Sequence, residues 1–72
     1  MSIIYKVEFK DDPACEKSGA LAAEAGGCVR TSIRRYDGEK DMALIEVPDA
    51  ASAAVLEKLM SADSNVLSHN IR

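Results

Sequence analysis

Apolar and polar residues alternate over residues 3–10: Ile3, Tyr5, Val7 and Phe9 fall on one side, Ile4, Lys6 and Glu8 on the other. A period of two predicts a strand with one buried face. Asp11-Asp12-Pro13 then opens a helix, with Asp12 as N-cap, Pro13 at the first helical position and acidic charge at the positive end of the dipole. Ala14, Ser18, Leu21, Ala22 and Ala25 recur at helical spacing as its inward stripe. At Gly26-Gly27 the period changes to that of a strand. Glycine reaches φ > 0 without a Cβ penalty, which a helix C-terminus often needs, so the pair predicts a helix-to-strand reversal.

The second strand runs from residue 28 to 35 or 36, with Val29, Thr31 and Ile33 inward and Arg30, Ser32 and Arg34 outward. Asp37-Gly38-Glu39-Lys40 is a hairpin signal. In the third strand, residues 41–47, Ala43, Ile45 and Val47 share one face and Met42, Leu44 and Glu46 the other. Pro48-Asp49 ends that strand and begins a second helix, residue 50 to about 62, whose stripe is Ala51, Val55, Leu56, Leu59 and Met60. Asp63-Ser64-Asn65 turns the chain into a last strand over 66–71. The order is βαββαβ. Right-handed crossovers put both helices on one face of a four-stranded antiparallel sheet. The expected fold is thus an α+β ferredoxin-like domain spanning residues 1–72, with strand order 4-1-3-2.

Such a fold leaves the second sheet face bare. Ile4, Met42 and Leu44 come to its middle from the two central strands, with Lys6, Glu8 and Glu46 beside them and Arg30 and Arg34 from the second strand. An apolar centre within a charged rim predicts a binding surface for a protein, either a second copy or a different chain.

Composition narrows the function classes. With 72 residues there is room for one small core, and 47% apolar with 29% charged residues, spread rather than clustered, argues against disorder. The net charge of −3 creates no field that would steer the chain to nucleic acid. Arg30, Arg34 and Arg35 form a basic stripe, yet Tyr5, Phe9 and Tyr36 are not interleaved with them as an RNA-reading sheet requires. The start of the chain has neither the basic nor the long apolar segment of a signal peptide, and no apolar run is long enough to span a bilayer. A cytoplasmic, reducing location follows as the expectation. Cys15 and Cys28 read as two small apolar thiols, with a single bridge or a redox role left open.

No enzyme is expected. The single histidine, His69, has Ser64 and Ser68 near it in sequence but no third group to orient a base. Gly26-Gly27 precedes a strand rather than a helix, so it is no phosphate cradle. Asp11-Asp12 is explained by capping, and Asp37-Gly38-Glu39-Lys40-Asp41 by a solvated turn. No cofactor or metal site is expected.

Over nearly its whole length the chain resembles the subtilisin-propeptide-like proteinase inhibitors. The matching residues are Tyr5-Lys6-Val7-Glu8-Phe9-Lys10-Asp11-Asp12, Glu24-Ala25-Gly26-Gly27-Cys28-Val29, Tyr36-Asp37 and Val47-Pro48-Asp49, with Leu56, Leu59 and Val66 beyond. The resemblance implies a module whose open sheet face packs on surface helices of a subtilisin-type serine protease. Ile4, Met42 and Leu44 would then contribute to docking, and His69, Asn70, Ile71 and Arg72 would stand nearest to a cleft-binding tail. The chain departs from the family where it stops at Arg72, and where Asp41-Met42 replaces a small Gly-aromatic start to the third strand. It is also similar to GYD-type members of the dimeric α/β-barrel group, through Gly26-Gly27, Ile45-Glu46-Val47-Pro48-Asp49, the alanine-rich second helix and Asn65-Val66. That second resemblance implies a small homodimeric regulatory or ligand-binding protein paired through the same sheet face.

Overall fold

The computed structural model describes residues 2–33 and 41–72. The alternating runs form strands and the capped runs form helices, in the order β1 (Ile3–Phe9), α1 (Asp12–Glu16), α2 (Ser18–Glu24), β2 (Cys28–Ile33), β3 (Asp41–Val47), α3 (Ala50–Ala62) and β4 (Val66–Ile71). All pairings are antiparallel, and the strands make one sheet in the order β2-β3-β1-β4. This is the neighbour order expected from the pattern, read from the opposite edge. The architecture is α+β, an open four-stranded sheet with three helices among the described residues.

The core follows from the alternation in the two central strands. Register sets Tyr5 opposite Ile45, Val7 opposite Ala43 and Ile3 opposite Val47, so one face gathers Tyr5, Val7, Phe9, Ala43, Ile45 and Val47, all buried. The helices close over it with Ala14, Cys15, Leu21, Ala22, Ala53, Leu56 and Met60. Large side chains such as Phe9, Ile45 and Leu56 contribute roughly 1.5–3 kcal/mol each by leaving water. Alanines supply close approach rather than bulk.

The helix expected after β1 is two helices. Its N-cap is Asp11 rather than Asp12: the Asp11 carboxylate accepts from the Ala14 N–H at 2.9 Å. Lys17 separates α1 from α2, donating back to Ala14 while its own carbonyl accepts from Leu21. Ser18-Gly19, weak helix formers, follow immediately. The expected inward stripe of Ala14, Ser18, Leu21, Ala22 and Ala25 is buried throughout, joined by Cys15. In α3 the bounds match, and Asp49 caps the helix by accepting from the Ser52 N–H at 2.8 Å. That bond holds the Asp49 carboxyl below the usual range. The buried stripe of α3, however, is Ala53, Leu56 and Met60, whereas Ala51 and Val55 are exposed on the opposite side. An alanine-rich helix presents small residues all round, so spacing alone leaves its rotation open.

In β2 a bulge between Val29 and Thr31 changes the phase. Val29 packs on the core opposite Ile45, as expected. Beyond the extra residue, Thr31 pairs with Leu44 on the other face and Ser32 with Ala43, and Ile33 pairs with Met42. The inserted residue exchanges the faces of Thr31 and Ser32. Asp41, expected in a solvated turn, is buried at the start of β3 opposite Phe9. Residues 37–40, Tyr36, Arg34 and Arg35 lie outside the described residues.

The α2–β2 reversal is a Schellman cap. Gly26 has φ +78°, its N–H bonds to the Ala23 carbonyl, and the Gly27 N–H bonds to the Ala22 carbonyl at 2.8 Å. Gly27 has a different constraint: a Cβ there would stand 2.3 Å from the Glu46 carbonyl oxygen and 2.8 Å from Val47 Cγ1. Gly19 meets nothing within 4 Å. Gly27→Ala is therefore expected to cost about 2 kcal/mol in overpacking, and Gly19→Ala to raise stability by about 0.5–1 kcal/mol. Urea unfolding midpoints check both, and an unchanged midpoint for Gly27→Ala would show that β3 yields freely.

Candidate functional site

The face turned away from the helices is built by the other half of each alternation. From β1 and β3 it receives Ile4, Lys6 and Glu8, and Met42, Leu44 and Glu46. Register pairs each apolar residue with a charged one: Ile4 with Glu46, Leu44 with Lys6, and Met42 with Glu8. Ile4 and Leu44 are diagonal neighbours, within reach of long side chains. All three apolar residues are half-buried. The centre is thus a diagonal apolar seam interleaved with charge.

The edge strands complete it. Because of the bulge, Arg30 and Thr31 both come to the Leu44 position. Arg30 Nη1 lies 3.0 Å from Glu46 Oε1, and the carboxylate is held below its usual range by hydrogen bonds from Ser2 and from Arg30. With the Arg30 side chain 55% exposed, water and salt screen this pair, so it orients the guanidinium more than it stabilises the fold. On the far side Ser68 Oγ donates to Glu8 Oε1 at 2.7 Å, tying β4 to β1 on the same face. Ile4, Arg30, Thr31, Leu44 and Arg72 together line a shallow hollow of about 240 Å³.

The C-terminal residues named from the sequence divide between the faces. Lys6 pairs with Asn70, Val7 with His69 and Tyr5 with Ile71, and the Arg72 N–H continues the ladder to the Ile4 carbonyl at 2.8 Å. Asn70 belongs with the bare face, and Arg72 reaches its hollow, while His69 and Ile71 belong to the helix side. Residues 69–72 are therefore laddered to β1 rather than extended away from the domain. Of the residues expected in a binding surface, the structure brings Ile4, Leu44, Arg30 and Arg72 together and places Met42 and Asn70 on the same face. It separates His69 and Ile71 from them. Arg34 lies outside the described residues.

Behind the sheet sits a polar link that the sequence reading passed over. The buried Tyr5 hydroxyl donates to Glu57 Oε2 of α3 at 2.5 Å, and the His69 ring meets the Tyr5 ring edge-on at 6.5 Å. The usable signal was the inward Tyr5 itself, because a buried phenol requires a partner. Burial, followed by the Glu57 hydrogen bond and charge, pushes the Tyr5 phenol up to about 12. A phenol in that state is a structural donor rather than a nucleophile near neutrality. Cys15 is buried with its thiol towards the Met42 carbonyl, and Cys28 is exposed, so the two are not bridged. Among the described residues, no group of three or more His, Cys, Asp or Glu could hold a metal ion, and no helix is long and apolar enough to cross a membrane.

No family model, curated protein or solved structure matches the chain.

The raised Tyr5 pKa has a definite sign. Its contribution to stability is complete below the unfolded value near 10 and is lost as pH rises towards about 12. Tyr5→Phe should abolish that part of the alkaline loss and cost about 1 kcal/mol at neutral pH. Urea titrations of both proteins between pH 8 and about pH 12 test it; parallel alkaline losses would refute the assignment.

Proposed function

We propose that this chain is a non-catalytic protein-binding module of ferredoxin-like architecture, docking through its bare sheet face. A subtilisin-type serine protease is the partner class implied by its resemblance to propeptide-type inhibitors. The observation that carries the proposal is the face itself: Ile4, Leu44 and Met42 lie half-buried in a charged setting that no described helix covers. Apolar area of this kind gains from being covered, and the flanking charges supply register and specificity.

Charge favours a different protein over a copy on this face. Lys6, Arg30 and Arg72 stand against Glu8 and Glu46, while the whole chain carries −3. Glu46 is engaged by Ser2 and Arg30, and Lys6 and Arg72 have no ion-pair partner among the described residues. Face-to-face pairing of two copies would bring unmatched cations together, whereas a surface presenting carboxylates would match them. Because residues 69–72 are laddered onto β1, any segment entering a protease cleft would have to leave the sheet at or after Arg72.

Titrating the protein into a subtilisin-type protease should slow hydrolysis of a peptide substrate. Leu44→Arg and Ile4→Lys should each weaken the effect about tenfold or more, as central apolar residues of an interface do. Cleavage of the protein with no slowing of the peptide reaction would rule out the protease as partner.

A further inference from the structure

The two edges of the sheet are not alike. β2 carries Arg30 and has its bulge in mid-strand, both devices that discourage another strand from adding on. β4, Val66-Leu67-Ser68-His69-Asn70-Ile71, contains no proline, lysine, arginine or acidic residue. Its bulge falls at one end, between Val66 and Ser68, and the pairing from Ser68 to Ile71 is regular.

The ladder shows which backbone groups remain available. Arg72 donates to Ile4, so by alternation residues 72, 70 and 68 turn their N–H and C=O groups towards β1. His69 and Ile71 turn theirs outward, where no described residue meets them. The same strand also bears two of the large apolar side chains left exposed, Leu67 at 49% and Ile71 at 65%. Leu67 is the extra residue of the bulge and stands with Ser68 at the Glu8 position, whereas Ile71 lies in the regular stretch opposite Tyr5.

We infer that β4 is a self-association edge, pairing antiparallel with β4 of a second copy about a two-fold axis at Asn70. In an isologous antiparallel pair each residue lies opposite one on the same face, so the two register numbers sum to an even value. Centring on Asn70 meets that condition within the regular stretch and sets His69 across from Ile71 of the copy twice over. The outward groups of His69 and Ile71 then find partners, and the sheets join into one of eight strands. A second copy is favoured over a charged partner because β4 contributes no charge to the seam, so two chains of net −3 can meet there without like charges facing each other. Five laddered residues span roughly 17 Å, a short seam, so the dimer depends on concentration. This inference is independent of docking at the bare face, which stays open in such a dimer.

Sedimentation over a concentration series tests it. The unmodified chain should shift from 7.7 kDa towards twice that mass. Ile71→Pro removes only an outward N–H, a change edge strands accept, and should hold the mass at the monomer with an unchanged circular dichroism spectrum. Leu44→Arg on the bare face should leave the dimer intact. A chain that remains monomeric at the highest concentration overturns the inference. So does a dimer that Leu44→Arg dissociates or that Ile71→Pro leaves whole.

Discussion

The backbone of Gly27 lies against the Glu46 carbonyl, closer than any side chain would allow, and much of the molecule depends on that approach. It lets α2 end in a tight cap and hands the chain directly to the sheet, with Cys28 opposite Glu46 at the first rung of β2. Everything downstream on β2 inherits its register from that rung. Gly26 contributes a separate requirement, a positive φ at the cap, so the two glycines answer two different constraints. Neither lies in the proposed docking surface.

From that rung the bulge at Arg30 acquires its effect. Without it, Thr31 would face the helices and Arg30 alone would border the bare face. With it, Arg30 and Thr31 both stand beside Leu44, and the guanidinium reaches Glu46 on the neighbouring strand. The hollow among Ile4, Leu44, Arg30, Thr31 and Arg72 is thus a product of sheet register, assembled from β1, β2, β3 and the residue that follows β4. An exposed ion pair such as Arg30–Glu46 adds little to stability. Its consequence is to hold a charged pair beside apolar area.

The two faces and the two edges divide the work of the sheet. One face is spent on the core, where Tyr5 is anchored to α3 through Glu57. The other is covered by no described helix. One edge is guarded by charge and a mid-strand bulge, and the other is neutral. Faces and edges present different groups: side chains normal to the sheet, and hydrogen-bonding groups in its plane.

Much of this architecture was legible in the residues. Alternation in 3–9 and 41–47 settled which side chains of β1 and β3 are buried, because a period of two leaves only two phases and apolar residues choose between them. Pro48-Asp49 and Gly26-Gly27 marked helix ends because capping chemistry is local. The rotation of α3, the phase of β2 beyond Arg30 and the division of residues 69–72 between two faces were not legible. Each depends on how one element registers against another, and a bulge or an alanine-rich helix leaves no local trace of that choice. The sequence by itself determined the elements, their ends and the inward face of the central strands. Only the tertiary structure decided which edge is bare and which residues meet on the open face, because register is a property of pairs of strands.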